Sequence, residues 1–131
     1  MSIDIVLSEL QSRYRVALEP PALELSNSDI ERWSGELATS RAALYDSLAL
    51  RLAHGFYRNE LPYSFCDSVL NSIHGLITIA DEIRPDLFWS IFLAFDAGEY
   101  FHEPSRREDP VAAYTRPLIE QIVRKHGAPP R

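Results

Sequence analysis

Apolar residues recur at three- and four-residue spacing in several separate stretches of the chain, the pattern of helices that each bury one face. In the first stretch, about Ile3 to Tyr14, Ile3, Val6, Leu7 and Leu10 share a stripe, with Ser2 placed to cap it. The next segment, from Arg15 through Pro20 and Pro21 to Leu25, cannot continue that helix, because adjacent prolines lack donors and restrict the residue before them; it reads as a connector. Ser28 with Glu31 three positions on has the form of a capping box and predicts a short helix to Gly35 or Leu37. A second start at Ser40 opens the clearest pattern of all, from Arg41 to Arg58, where Leu44, Leu48, Leu52 and Phe56 make one i+4 row.

Pro62 and Pro85 each suit the start of a further helix, where a missing N–H costs nothing. After Pro62, Phe65, Val69, Ile73, Leu76, Ile77 and Ala80 line one side, while Asp67, Asn71, His74 and Thr78 line another that reads as solvated surface. After Pro85 only Ser90 is polar between Leu87 and Phe95, so a helix over about 86–101 is expected to be apolar on nearly every side and to lie centrally. A polar loop, Glu103 to Asp109, precedes Pro110 and a last helix. There Thr115 is the expected cap, Leu118, Ile119, Ile122 and Val123 face inward, and Gly127 ends the helix ahead of a loose Pro129-Pro130 tail. No stretch sustains strict alternation, so the expected fold is all-α. It is a compact single-domain bundle of about five helices over residues 1–131, with helix and connector to residue 27, a helical core over 28–127 and the tail at 128–131.

Composition limits what such a bundle can do. At 131 residues with 46% hydrophobic residues, a conventional core suffices without disulfide or metal. Thirteen Lys and Arg stand against 19 Asp and Glu, a formal charge of −6 that disfavours nucleic acid and anionic membranes and favours a basic partner. The acids are concentrated before residue 110, and among the basic residues only Lys125 is lysine. A single cysteine, Cys66, sits in a core stripe and reads as a small buried hydrophobe. Arg13, the first basic residue, follows Asp4 and Glu9, so no signal-peptide pattern is visible, and the longest apolar run is far short of the ~20 residues that span a bilayer; a cytoplasmic location is expected.

Phosphate loops, nucleophile elbows, cysteine pairs and zinc-protease helices are all missing from the sequence. The run Phe95 to His102 is the most suggestive chemistry, since Asp96, Glu99 and His102 fall at the end of the apolar helix. Glu99-x-x-His102 has the spacing with which a helix offers a carboxylate and an imidazole to one metal, and His54 and His74 lie on two preceding helices. One divalent transition metal, or a small molecule, held by Glu99, His102, His54 and His74 is therefore the alternative reading, with hydrolase, transferase or sensor as its possible outlets. The simpler expectation for Asp96 and Glu99 is pairing with Arg58, Tyr114 or Arg116.

The favoured expectation needs no cofactor and no catalysis. Trp33 on a short exposed helix, Tyr100 near a helix end, and the acids Asp67, Asp96 and Glu99 suggest a face that binds another protein with a basic surface; a homodimer is a further option. Stoichiometric inhibitors, immunity-type proteins and regulatory adaptors fit this description by type alone.

Overall fold

Six α-helices form among the residues that the computed structural model describes, which are 2–16, 23–102, 104 and 107–127. They are α1 (Ile3–Val16), α2 (Asn27–Glu36), α3 (Arg41–Tyr57), α4 (Tyr63–Ile79), α5 (Asp86–Asp96) and α6 (Arg116–His126). The described residues contain no strand. Much of the connector expected over 15–25, part of the polar loop and the tail at 128–131 lie outside the described residues.

The helix starts follow local chemistry. Ser40 accepts the Ala43 N–H at 3.1 Å to open α3, and Pro62 and Pro85 stand just before α4 and α5. The capping box at α2 is built by Ser26 and Asp29, two residues earlier than the expected Ser28 and Glu31. Asp29 accepts the Ser26 N–H at 3.0 Å, and the short carboxylate suffices because Ser26 is only three residues away.

Helices α2, α3 and α4 all stop in the same way, through a left-handed residue that is not glycine: Ala38 (φ 52°), Asn59 (φ 61°) and Asp81 (φ 54°). After each, the next N–H reaches back to a carbonyl five residues earlier, as Thr39 does to Ser34, Glu60 to Gly55 and Glu82 to Ile77. Gly127, at φ 67°, closes α6 where a glycine was expected.

The i+4 row of α3 is buried throughout, and α3 packs against every other α-helix. Helix α5 packs on α3, α4 and α6 and delivers Phe88, Ile91 and Phe95 to the core. Each such side chain contributes about 1.5–3 kcal/mol of burial energy. Leu93, on the other side of α5, is 46% exposed. Cys66 is fully buried, where loss of solvent pushes its thiol pKa up, as befits a structural residue.

Helix α5 ends at Asp96 and a single 3-10 turn, Ala97–Glu99, follows. The expected helix to residue 101 therefore stops early, and Glu99 and His102 do not share a helical face. Two buried hydroxyls hold this end. Tyr63 Oη donates to the Phe95 carbonyl at 2.6 Å, and Thr115 Oγ1 donates to the Ala94 carbonyl at 2.8 Å. Thr115 was expected to cap the last helix; instead it sits in helical backbone at the end of a π-helical turn, Val111–Thr115, that runs straight into α6. Gly98 lies between these hydroxyls, and a Cβ there would come within 2.4 Å of Thr115 Oγ1. No helix among the described residues is long and apolar enough to cross a membrane.

Candidate functional site

Two carboxylate clusters lie at separate places on the bundle. The first joins α1 to α2. Arg13 holds Asp29 with two bonds of 2.8 and 2.9 Å and reaches Glu9 at 2.6 Å, while Arg32 holds Glu9 at 2.7 and 3.2 Å. Beneath the two guanidinium groups lies Trp33, with ring-centre distances of 5.7 and 5.4 Å, and its indole N–H also points to Glu9. Arg13 is the main reason Asp29 sits far below the usual carboxylate range, and Arg32 the main reason Glu9 is lowered. Trp33 was expected to be an exposed anchor for a partner, but it is only 1% exposed and belongs to the core. The α2 sequence is polar overall, and the cover that buries its Trp comes from elsewhere in the chain.

The second cluster lies where α4 meets the end of α5. Asn71 on α4 donates to Glu99 at 3.1 Å and to the Asp67 carbonyl at 2.9 Å, which brings Glu99 to the Asp67 row, with Asp96 close enough to be felt electrostatically. No ion pair to Asp67, Asp96 or Glu99 is found among the described residues. Of the partners expected for these acids, Arg116 turns to Asn59 and lies over the Phe56 ring instead. Burial first, then the neighbouring Glu99 carboxylate and Asp96, raise Asp67 to about 8. The same three acids disfavour the phenolate of Tyr63, whose pKa is already raised by burial.

Next to these acids runs an aromatic surface. His74 stacks on Phe92 at 4.6 Å and on Trp89 at 5.6 Å, Trp89 and Phe92 stack at 5.1 Å, and the Arg84 guanidinium lies 3.8 Å over Trp89. Trp89, Phe92, Leu93 and Asp96 occupy an i, i+3, i+4, i+7 row of α5 beside the Asp67, Asn71 and His74 row of α4. Tyr100 and Phe101, each about half exposed at 52% and 48%, continue the surface past Glu99.

The structure does not bring the three candidate imidazoles together. His54 is 2% exposed on α3, where its Nε2 bonds the Gly127 carbonyl and anchors the end of α6; burial, with Arg58 and Arg51 nearby, lowers its pKa. His74 belongs to the aromatic stack. His102 is stacked by Tyr100 at 4.3 Å and Tyr114 at 3.8 Å, with Nε2 donating to the Ala97 carbonyl at 2.9 Å. Among the described residues no group of three or more His, Cys, Asp or Glu is placed to hold a metal ion, so the expected set of Glu99, His102, His54 and His74 is not assembled. Each imidazole already has a packing role on its own helix or turn, which is why spacing alone could not make them converge.

A groove of about 550 Å³ lies on a different side of α4, between Leu23, Leu25, Leu76 and Ile79. Of its three charged residues, Arg13 and Asp29 are paired with each other, and the Glu24 backbone carbonyl accepts from Arg13 at 3.3 Å. Sequence reading identified Asp67, Asp96, Glu99 and Tyr100 and put Trp89 and Leu93 on the side of Asp96, but it expected this helix to be covered on nearly every side, whereas Leu93 is exposed. The row Trp89, Leu93, Asp96 was the available signal, an acid on the same helical side as two large apolar residues. No protein-family model, curated protein or solved structure matches the chain.

Proposed function

We propose that this chain works by binding another protein through the surface shared by α4 and α5, in the manner of a stoichiometric inhibitor, an immunity-type protein or a regulatory adaptor. The observation that carries this reading is the Asp67–Glu99 pair, with Asp96 beside it, without an ion-pair partner among the described residues at the edge of exposed Leu93 and Tyr100. Burying like charges together costs stability, and a chain keeps such an arrangement where a binding partner offsets the cost. Exposed aromatic and apolar side chains beside it supply the area that sets residence time, while the charge sets the rate of encounter. The overall charge of −6 directs the choice toward a partner with a basic face.

The test is site-specific photocrosslinking in the native cell, with a benzoylphenylalanine in place of Leu93 and, as control, in place of Ser8 on the exposed side of α1. A discrete adduct with another protein at position 93, absent at position 8 and weakened by salt, is the expected result. Equal labelling at both positions, or adducts only between copies of this chain, would overturn the reading.

A further inference from the structure

Helix α6 is lightly held for the element that closes the bundle. Of its own residues only Ile119 and Val123 are buried. Its beginning is tied by Thr115, which donates to the Ala94 carbonyl, and its end by His54 in the last turn of α3, whose Nε2 bonds the Gly127 carbonyl. A carbonyl only accepts, so Nε2 carries the proton and Nδ1 is the bare nitrogen of a neutral ring. The ring is 2% exposed, and Nδ1 is buried with no hydrogen-bond partner among the described residues.

The charges felt at this imidazole have one sign. Arg51 and Arg58 stand three residues before it and four after it on α3, on the same side of the helix, and both act on the ring. From α1 comes Asp4, but its carboxylate bonds Arg51 Nε at 2.8 Å. On α6, Glu120 is taken by Arg124, while Lys125 and His126 line a groove beside Asp46 and Asp86. Among the described residues no carboxylate forms an ion pair with His54. A second proton would therefore create a buried N–H with no acceptor, on a cation set beside two guanidinium groups.

We propose that His54 is an acid-operated catch: neutral, it holds the end of α6 on α3, and on taking a proton at Nδ1 it turns out to solvent and lets the last turn of α6, Val123 to Gly127, come away while the Thr115 end stays fixed. The catch is independent of the protein-binding reading above, since it uses no residue of the α4–α5 surface. Burial is the main cause that holds the ring below its ordinary pKa, so the closed form is fully favoured above the free value near 6.5 and loses its advantage as pH falls through that value toward the lower one of the closed ring.

The experiment follows the isotope-labelled full chain by NMR from pH 7.5 to pH 5, reading the helical Cα shifts of α6 and the ring Cε1–H of His54 together. The expected result is a reversible loss of about half or more of the helical shift at Val123 to His126 by about pH 5, with the midpoint of the His54 ring titration, while Leu48 and Ile73 keep theirs. His54→Gln, whose amide can still donate to the Gly127 carbonyl, should make the α6 shifts independent of pH, and His126→Gln should leave the response in place. Arg58→Gln, at an exposed position, removes one of the two cations beside the ring and should leave more of the helical shift at pH 5 than the wild type keeps. An end of α6 that stays helical throughout, a response that survives in His54→Gln, or simultaneous loss of shift in α3, α4 and α6 would overturn the proposal. Should His54→Gln fail to fold, the shared midpoint in the wild type and the direction of the Arg58→Gln change decide it.

Discussion

The same kind of acidic pair has opposite fates at two places in this bundle. At the α1–α2 junction Glu9 and Asp29 are met by Arg13 and Arg32, and both carboxylates are held below their usual range. At the α4–α5 surface Asp67 and Glu99 meet each other, and Asp67 is held above its range. One cluster therefore contributes to folding when ionised and the other when one proton stays on. The difference teaches that charge content alone says little about role: the partner a carboxylate finds decides whether it ties helices together when ionised or resists ionising.

The largest way to break the comparison is to remove the floor of the paired cluster. Trp33→Ala should destabilise the chain by about 3–5 kcal/mol, read as a lower urea midpoint, because it empties a core site and withdraws the surface on which both guanidinium groups lie. Asp29→Ala comes next, at about 1–3 kcal/mol, because Arg13 loses its bidentate acceptor and α2 its capping box. That loss should shrink in acid. Asp29 has a depressed folded-state pKa, so its contribution is present above the unfolded value near 3.9 and fades as pH falls toward the folded one.

Asp67→Asn should have the reverse sign. Its raised pKa means the folded chain keeps a proton that the unfolded chain releases, so wild-type stability declines as pH rises from about 4 to about 8. The variant should be more stable than wild type near pH 8, by about 1 kcal/mol once solvent screening of this half-buried site is allowed for, and no different near pH 4. Chemical denaturation at the two pH values measures it; a flat wild-type profile would mean that Asp67 is not held protonated. The smallest effect sharpens the contrast further. Arg124→Ala removes an exposed i, i+4 pair to Glu120 at 2.7 Å and should change stability by only about 0.3–0.5 kcal/mol, well under any change at Asp29.

Helix content was readable because periodicity, Ser starts and Pro starts agreed along α3, α4 and α5. The errors came where two local signals competed or where the deciding contact is distant. Ser28 was expected to cap α2, but Ser26 does so because Asp29, shared with Arg13 from α1, closes the box with it. The left-handed ends at Ala38, Asn59 and Asp81 carry no glycine to announce them. Trp33 looked exposed because its own helix is polar, and burial depends on a face supplied from elsewhere. Within the site, Asp67, Asp96, Glu99 and Tyr100 were visible as residues, yet the approach of the turn at Glu99 to α4, made by Asn71 across 28 positions of chain, is reported by no spacing rule. The candidate imidazoles show the same limit in reverse: among the described residues His54, His74 and His102 do not converge, each being engaged at its own place in the fold.

The fit of Gly98 between Tyr63 and Thr115 has a thermodynamic consequence. The end of α5, just before the turn that carries Glu99, is tied through its Ala94 carbonyl to the Thr115 hydroxyl at the beginning of α6, and the far end of α6 is fastened to α3 by His54. Under the proposed binding role, a partner that steadies Glu99 would also steady the C-terminal helix, and by reciprocity whatever loosens that helix would lower affinity by the same factor. Amide exchange along Ile119 to Val123 would then serve as a remote gauge of occupancy, slowing when the acidic surface is filled although no ligand touches it.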